Sequence, residues 1–541
     1  MSTGAGQVMT QMEGVRGTPP LLASAGAGSR LLESALVALI AGTLYAFTIQ
    51  SRAAHLDEFY HLLAGRSWEK DGSFRILDGV YLRARLFTML VGETFDLTGR
   101  ADLLAARIPS VLFAALSCGL LYHCLRGVAN RWAAFSAAAL LGLCGYTFDI
   151  AHFARFYALH AVLVLGAAIS LHAAMRPRER YRTTLLVLSA ICLVVAMHLQ
   201  PVTVIAAIGL ALWLLLGNLH LAWQAPVRTL ALGGGALLAI VVLLQVPAVG
   251  DLLARFGRAE RWAMATQDAP LYYLAEYLHQ IPLLALLFPV AAWLACRRYG
   301  RTGTLGVIMV VVPLLLHSFA GMKAWRYAYY TYPFLCWTWG LAIGAVTERM
   351  RGGSALVPTL AGLGAMIVLT GSAPAYRQTV RILSDTRSDA LTAPVPDGDW
   401  DKAAPALRAL AAGGRTLVTS DDLRTLATIG RFDLFISHSR LGELEPPRDF
   451  TKDFRTGRPL VDTGAGMQAV IDCTPSGLII ISNKQWRTPM GVRPDVADLI
   501  ERRLQPDARA PAGFRIYGWR HQPPRQSCPF APPPHPMDDA A

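Results

Sequence analysis

The sequence predicts a multi-pass α-helical membrane protein that ends in a small α/β domain. Of its 541 residues, 53% are hydrophobic and only 16% are charged, whereas soluble proteins carry about a quarter charged residues. The mean hydropathy is +0.38. The apolar residues lie in runs of about 17–25, which is long enough to cross a bilayer as a helix. The alternating segments of about ten residues that are typical of a transmembrane barrel are absent.

The first apolar run, about residues 31–50, is predicted to be a signal anchor. Residues 1–30 before it contain two arginines and no apolar core, which predicts a disordered cytoplasmic tail and not a signal peptide. We expect about eleven transmembrane helices in all. Their approximate positions are 31–50, 106–125, 132–148, 156–175, 183–200, 202–219, 229–247, 273–296, 304–320, 329–347 and 354–375.

The net charge of +13 is explained by membrane topology. A basic chain can bind nucleic acid or anionic lipid. If the N-terminus is cytoplasmic, the even-numbered loops between the predicted spans are cytoplasmic too. These loops contain twelve arginines and only two acids, Glu179 and Glu348. Such an excess is typical of cytoplasmic loops. We therefore expect no nucleic-acid partner, and we expect residues 51–105 and all residues after 376 to lie outside the cytoplasm.

Two extracytoplasmic regions have a predicted structure of their own. In the first outer loop, 51–105, the segment YLRARLFTMLVGETFDL has the apolar spacing of an amphipathic helix on a membrane surface. Residues 376–522 have shorter apolar runs and predict an extracytoplasmic α/β domain, followed by a Pro-rich disordered tail at 523–541. The predicted strands are 415–420, 432–437, 477–482 and 514–520, and the predicted helices are 401–412, 421–429 and 495–504.

The cysteines fall into two groups. Six of the eight lie in or beside apolar runs, where they are expected as small buried hydrophobic residues. Cys473 and Cys528 lie in the C-terminal region and could form a disulfide if that region faces an oxidising compartment.

Asp57 and Glu58 are the first candidates for chemistry. They follow the first predicted span and are flanked by His55 and His61. A carboxylate in this position could act as a general base on a sugar or lipid hydroxyl. Adjacent helical residues point about 100° apart, so one carboxylate would be the base and the other would hold an acceptor, an arginine or a metal. The alternative is that both are solvated acids of an outer loop.

Arg107 opens the second predicted span at AARIPS. A charge at the membrane boundary is costly unless it is paired or solvated. It could pair with Asp57 or Glu58, grip a phosphate, or extend its side chain to the interface.

Further polar residues lie in later outer loops. Asp149 and Arg155 precede the fourth span, and GMKAWRYAYYTYP places Lys323 and Arg326 among aromatic residues. Such cations could hold a lipid phosphate and its sugar, although aromatic residues alone also fit an interfacial belt. No metal-ligand spacing such as H-E-x-x-H is present, so a divalent cation (Mg or Mn) on Asp57 or Glu58 is possible but not indicated by any pattern.

Four segments together resemble a known family. AAHLDEFY begins the first outer loop, AARIPSVLF opens the second span, HFARFYALH precedes the fourth, and KAWRYAYYTYPFL lies in a late outer loop. Their order and common side of the membrane resemble the GT-C glycosyltransferases, especially the dolichyl-phosphate-mannose mannosyltransferase and aminoarabinose transferase-like group. The resemblance covers residues 31–375.

The resemblance implies the GT-C fold in a bacterial inner membrane. It implies an inverting glycosyltransferase that takes a sugar from a polyprenyl-phosphate donor and transfers it, outside the cytoplasm, to an envelope lipid, glycan or protein. Asp57 would be the catalytic base with Glu58 in support. The expected donor-phosphate contacts are Arg107, Arg155, Lys323 and Arg326, and the expected substrate contacts are His55, Tyr60, Asp149, Trp325 and Tyr327.

Two other functions also agree with a multi-pass membrane chain. A transporter or flippase of a lipid-linked sugar would need polar residues at mid-membrane and often shows inverted repeats. Here the candidate charges lie at the outer boundary. A non-catalytic subunit of an envelope-assembly complex would not depend on Asp57. The absence of the large inserted domain found in eukaryotic members leaves the sugar and the acceptor open.

Overall fold

The computed structural model of the protein describes residues 27–218, 269–350, 356–384, 399–437, 449–453, 455–488, 491–520 and 528–530. The predicted N-terminal tail, the predicted span 229–247 and the Pro-rich tail lie wholly or largely outside these ranges. The helices of the N-terminal region are Ala27–Phe47 (α1), Glu58–Asp71 (α2), Arg85–Thr98 (α3), Leu103–Val128 (α4), Arg131–Gly142 (α5), Gly145–Ala151 (α6), Tyr157–Ala174 (α7), Arg182–Leu199 (α8), Thr203–Gly217 (α9), Tyr272–Gln280 (α10), Pro282–Leu286 (α11), Phe288–Tyr299 (α12), Arg301–His317 (α13), Tyr332–Arg349 (α14), Leu356–Gly371 (α15) and Pro374–Ser384 (α16).

The helices are less regular than eleven straight spans. Within the described ranges, α1, α4, α7 and α8 are each long and apolar enough to cross a membrane. The pairs α5–α6 and α15–α16 are bent by 61° and 93°, which gives up to six spans if each pair is one. The predicted span 273–296 is divided into α10, α11 and α12, with Pro282 and Pro289 in the first turns of the later helices. Proline starts a helix well and interrupts one. The count of eleven stays a prediction.

Small residues bring the central helices close together. Helix α4 packs against α1, α5 and α7, and α14 packs against α5 and α12. A Cβ atom on Gly340 of α14 would lie 2.5 Å from the Ala133 carbonyl oxygen of α5, and one on Gly344 would lie 2.6 Å from the Ala133 side chain. Close approach at small residues supplies the van der Waals contact that holds membrane helices together.

Residues 51–105, predicted to be the first outer loop, contain two helices joined by a hairpin. The predicted amphipathic helix is present as α3, which buries Phe87, Val91 and Phe95 against the rest of the protein; its place on a membrane surface stays a prediction. It packs against α2. Between the two helices, Arg75–Ile76 (β1) and Gly79–Val80 (β2) form an antiparallel pair.

The C-terminal region contains a seven-stranded sheet with helices. The four predicted strands and the three predicted helices all overlap observed elements. The elements are Trp400–Ala411 (α17), Thr416–Thr419 (β3), Asp422–Ile429 (α18), Leu434–Ile436 (β4), Thr451–Lys452 (β5), Pro459–Val461 (β6), Gly464–Cys473 (α19), Ser476–Ser482 (β7), Pro494–Arg503 (α20), Gln505–Pro506 (β8) and Phe514–Arg520 (β9). The strand order is β5-β6-β4-β3-β7-β9-β8. The four strands β6, β4, β3 and β7 are parallel, and β5, β9 and β8 add antiparallel edges.

The elements that the sequence did not predict are short or carry weak signals. Strands β5 and β8 have two residues each, too few to show alternation. Helix α19 begins at the Gly464–Gly466 turn, where the Thr463 hydroxyl accepts a hydrogen bond from the Gly466 N–H. The hypothesised disulfide between Cys473 and Cys528 is present in the structure.

Candidate active site

Asp57 lies where the first outer loop turns into helix α2, and two arginines from distant parts of the chain face its carboxylate. Its Oδ2 atom is 3.8 Å from Nη2 of Arg326 and 4.0 Å from Nη2 of Arg155. Burial alone would raise the pKa of Asp57, but the positive charges of Arg155 and Arg326 outweigh burial and hold it below its ordinary value. Asp57 is therefore ionised at neutral pH, and with 27% of its side chain exposed it remains open to a ligand.

His55 is a neutral neighbour of Asp57. Its Nδ1 atom accepts a hydrogen bond of 3.1 Å from the backbone N–H of Asp57, which requires an unprotonated nitrogen. Burial lowers the pKa of His55 to about 4. Although Nδ1 lies 3.9 Å from the Asp57 carboxylate, the two residues do not form an ion pair at neutral pH.

Glu58 is turned away from Asp57 into a buried ion pair with Arg107. The two side chains meet through two hydrogen bonds, Nε to Oε1 at 2.8 Å and Nη2 to Oε2 at 2.9 Å. The Glu58 carboxylate also accepts hydrogen bonds from the backbone N–H groups of Ala154, at 2.9 Å, and His55, at 2.8 Å. The Glu58 side chain is 0% exposed, so it cannot touch a substrate. Its hydrogen bonds tie together the loop before α2, the start of α4 and the loop before α7.

Arg107 is not available to a donor phosphate, which corrects its expected role. Its Nη1 atom donates to the carbonyl oxygens of Ile49 and Arg52, both at 2.9 Å, and Nη2 also reaches the Ala53 carbonyl at 3.5 Å. With Glu58 this uses every N–H of the guanidinium group. Of the roles considered from the sequence, pairing with Glu58 is the one observed.

Arg155 connects Asp57 to an aromatic wall. Its Nη1 atom donates to the Tyr81 hydroxyl at 2.9 Å and to the Asp57 carbonyl at 3.3 Å. Tyr81 stacks on Tyr60, with ring centroids 4.9 Å apart and an interplanar angle of 11°. The Nε atoms of Arg155 and Arg326 are buried and have no acceptor among the residues that the structure describes. Both arginines thus keep donor capacity for an anionic ligand.

Of the remaining predicted contacts, Lys323 is enclosed, whereas Trp325 and Tyr327 are half-buried, and the Tyr327 ring centroid lies 5.3 Å from the guanidinium carbon of Arg326. The Lys323 ammonium group is buried and donates to the Ala320 carbonyl at 2.6 Å. The Trp325 ring stacks on Tyr146 with centroids 4.6 Å apart. The Tyr327 ring lies 6.2 Å from that of Tyr157.

Asp149 belongs to another network. Its carbonyl accepts from Arg52, and its carboxylate accepts from Gln378 at 3.3 Å. None of its contacts within the described ranges reaches Asp57, so the structure does not bring Asp149 into the cluster that the sequence suggested.

Two site residues were missed from the sequence. Arg83 is exposed, lies 5.5 Å from the Phe156 ring centroid, and is one of the charges that lower the pKa of Asp57. It sits in the YLRAR segment, whose pattern indicated only an amphipathic helix. Arg455, 395 residues from Tyr60 in sequence, donates to the Tyr60 hydroxyl. No local pattern identifies it, because its position depends on how the C-terminal region packs.

The residues around Asp57 do not suit a divalent cation. Magnesium and similar ions take several oxygen ligands, mainly carboxylates and waters. Asp57 is instead surrounded by arginines, and the Glu58 oxygens are already occupied by four donors. No group of three or more His, Cys, Asp or Glu side chains comes together in the described part of the chain. We therefore derive no step through a metal.

Comparison with known proteins identifies a shared architecture. No protein-family model and no curated protein sequence matches the chain. The crystal structure of ArnT from Cupriavidus metallidurans in the apo state is similar to 91% of this chain and 98% of its own, with a TM-score of 0.63 and 14% identity. The structure of the same protein bound to undecaprenyl phosphate gives the same coverage, a TM-score of 0.64 and 15% identity.

A weaker similarity extends to the archaeal oligosaccharyltransferase AglB from Archaeoglobus fulgidus. It covers 74% of this chain and 64% of AglB, with a TM-score of 0.49 and 12% identity. The similarity to ArnT covers a larger share of both chains, 91% of this one and 98% of ArnT. The chain therefore has the fold of ArnT, which confirms the expected likeness to the aminoarabinose transferase-like group at the level of architecture.

Proposed function

We propose that this protein is an inverting glycosyltransferase that moves a sugar from a polyprenyl-phosphate donor to an envelope lipid, glycan or protein. The observation that carries the proposal is the Asp57 site, in which one ionised, partly exposed carboxylate faces Arg155 and Arg326. The ArnT structure that contains undecaprenyl phosphate has the same fold, which supports a lipid-phosphate donor.

In this proposal Asp57 is the general base. A hydroxyl oxygen of the acceptor attacks the anomeric carbon while an Asp57 oxygen takes the hydroxyl proton. The bond between that carbon and the phosphate oxygen breaks, and polyprenyl phosphate leaves with the bonding electrons. A single displacement inverts the anomeric configuration. Because the pKa of Asp57 is low, the carboxylate is fully ionised before reaction.

The arginines stabilise the leaving group. The departing phosphate gains one negative charge in the transition state, and cations fixed nearby favour that state over the bound substrate. Arg155 and Arg326 are held beside Asp57, and Arg83 adds an exposed charge to the same site. Lys323 stays a predicted donor contact. Glu58 and Arg107 act indirectly, by fixing the start of α2 and therefore the position of Asp57.

We further propose that the site and the C-terminal domain lie on the extracytoplasmic side of a bacterial inner membrane, with the N-terminus in the cytoplasm. The arginine distribution supports this orientation. The Cys473–Cys528 disulfide also supports it, because such bonds persist in oxidising compartments. A reporter fused to the C-terminus that is active only in the cytoplasm would refute the orientation.

The first experiment is transfer of radiolabelled sugar from a panel of polyprenyl-phosphate donors in membranes that contain the protein. We expect Asp57→Asn to lower the transfer rate by about 10²–10⁴-fold, the usual contribution of a general base, without changing the melting temperature. Asp96→Asn is the matched control, since Asp96 is exposed on α3 of the same loop. Equal transfer by wild type and Asp57→Asn would show that Asp57 is not the base. Lipid flipping without transfer would favour the transporter alternative.

A further inference from the structure

A hydrogen-bonded turn of the C-terminal domain lies between strands β5 and β6. We define the C-terminal hairpin tip as residues 453 and 455–458. The Asp453 carboxylate accepts both the N–H of Thr456, at 2.8 Å, and its hydroxyl, at 2.6 Å. The Asp453 carbonyl accepts the Gly457 N–H at 2.8 Å. These bonds fix the tip independently of what it contacts.

The tip docks onto the β1–β2 hairpin of the first outer loop. The Asp78 N–H donates to the Thr456 carbonyl at 3.0 Å, and the Asp78 carboxylate pairs with Arg458 at 3.3 Å. Gly79 permits the contact, because a Cβ atom there would lie 2.0 Å from the Arg455 carbonyl oxygen. Gly457, at φ +72°, has the left-handed conformation that favours glycine, and a Cβ atom on it would lie 2.7 Å from Asp78.

Docking directs Arg455 toward the wall of the Asp57 site. Its Nη1 atom donates to the Tyr60 hydroxyl, and its guanidinium carbon lies 5.0 Å from the Tyr60 ring centroid. Tyr60 is one helical turn beyond Asp57 and stacks on Tyr81, which in turn accepts from Arg155. A continuous series of contacts therefore joins the C-terminal domain to the two residues at the centre of the site.

Among the described residues, several cations surround the Asp57 carboxylate. Glu58 and Arg107 neutralise each other. Arg83, Arg155 and Arg326 all act on Asp57, so their charge exceeds that of this one carboxylate. A sugar phosphodiester brings one negative charge, and the phosphate monoester that leaves carries about two at neutral pH. The surplus of positive charge is therefore complementary to a phosphate-bearing substrate.

We propose that the C-terminal hairpin tip completes the catalytic site and supplies Arg455 as a binding residue for a phosphate-type anion of a substrate. This inference rests on the proposed function and assigns the C-terminal domain a part in substrate binding. The same chemistry has two sources, which are the lipid phosphate of the donor and an anionic group on the acceptor. Arginine suits both, because its planar N–H groups match phosphate and carboxylate oxygens.

Binding of two probes to the full-length protein in detergent tests the proposal. The probes are undecaprenyl phosphate and inorganic phosphate, and the variants are Arg455→Gln and Arg455→Lys. Loss of a charge-assisted hydrogen bond predicts about tenfold or greater weakening in Arg455→Gln, with partial recovery in Arg455→Lys. Arg503→Gln is the matched control, because Arg503 is an exposed arginine of the same domain that pairs with Asp472.

The outcomes separate the two sources. Weaker binding of undecaprenyl phosphate in Arg455→Gln assigns Arg455 to the donor phosphate. Weaker binding of inorganic phosphate alone assigns it to an anion of the acceptor. Unchanged binding of both probes, in variants whose melting temperature equals that of wild type, overturns the inference. If Arg455→Gln has a lower melting temperature than wild type, Arg455→Lys is compared with wild type instead. Wild-type binding of both probes by Arg455→Lys at elevated ionic strength also overturns the inference.

The failure of this inference is distinguishable from failure of the proposed function. The same preparations are assayed for sugar transfer. If wild type transfers sugar and Arg455→Gln keeps both transfer and probe binding, only the role of Arg455 is refuted. If wild type transfers no sugar from any donor, the proposed function is refuted, and the binding measurements still decide whether Arg455 holds a phosphate.

Discussion

Substitution of Glu58 by leucine is expected to lower stability, in contrast to substitution of Asp57, which should lower turnover. Glu58 is 0% exposed and accepts four hydrogen bonds, two of them from Arg107. Removing one partner leaves the other charge buried and unpaired, which destabilises a protein by about 3–5 kcal/mol. The matching single variant Arg107→Met should show a loss of the same size.

The double variant Glu58→Leu with Arg107→Met provides the decisive comparison. Apolar side chains of similar volume often replace a buried ion pair with little net change, so the double variant should be clearly more stable than either single variant. Thermal unfolding of the purified protein in detergent measures the effect, with Asp57→Asn as the control that unfolds like wild type. Additive losses in the double variant, or a Glu58→Leu variant with wild-type stability and no turnover, would refute the structural role.

The buried pair also predicts acid sensitivity. Burial raises the pKa of Glu58, but the charge and hydrogen bonds of Arg107 lower it by more. The pKa of Glu58 therefore lies below its ordinary value of 4.5. A depressed pKa adds stability above about pH 4.5 that is lost as pH falls through the folded-state value. Wild type should therefore lose stability on acidification below pH 4.5, and the double variant should lose less. Equal acid sensitivity of the two proteins would contradict this.

Three further predictions concern the rest of the site and the C-terminal domain. The transfer rate should show no acidic decline between pH 8 and about pH 5, because the pKa of Asp57 lies below its ordinary value of 3.8 and that of His55 is about 4; a decline near pH 6.5 that disappears in His55→Gln would contradict it. Cys473→Ser should destabilise the C-terminal domain by about 4 kcal/mol, as expected for a closed loop of 55 residues, and denaturant unfolding with and without reductant measures this; equal unfolding midpoints would refute it. Gly79→Ala should lower undecaprenyl phosphate affinity by displacing the C-terminal hairpin tip, and wild-type affinity would show that docking is not required.

Sequence patterns identified much of this protein because they arise from local physics. Apolar runs predicted membrane helices, and the spacing of residues 81–97 predicted α3. The cations at the predicted membrane boundary were noticed because charge is costly there, and two of them, Arg155 and Arg326, lie within 4.0 Å of Asp57. The bends at α5–α6 and α15–α16 were not predicted, because their direction depends on how the second helix of each pair packs against neighbouring helices.

The apolar runs were enough to predict a helical membrane protein with a carboxylate just after its first predicted span. Which of the two adjacent carboxylates stays open to a ligand depends on long-range packing. Asp57 caps α2 and Glu58 is its first residue, so the two side chains point in different directions, and the packing of α2 against the start of α4 buries Glu58 on Arg107. The same is true of Arg455, which reaches Tyr60 only because the C-terminal hairpin tip docks on the first outer loop. Contacts between residues hundreds of positions apart leave no local pattern, since they depend on the packing of whole elements.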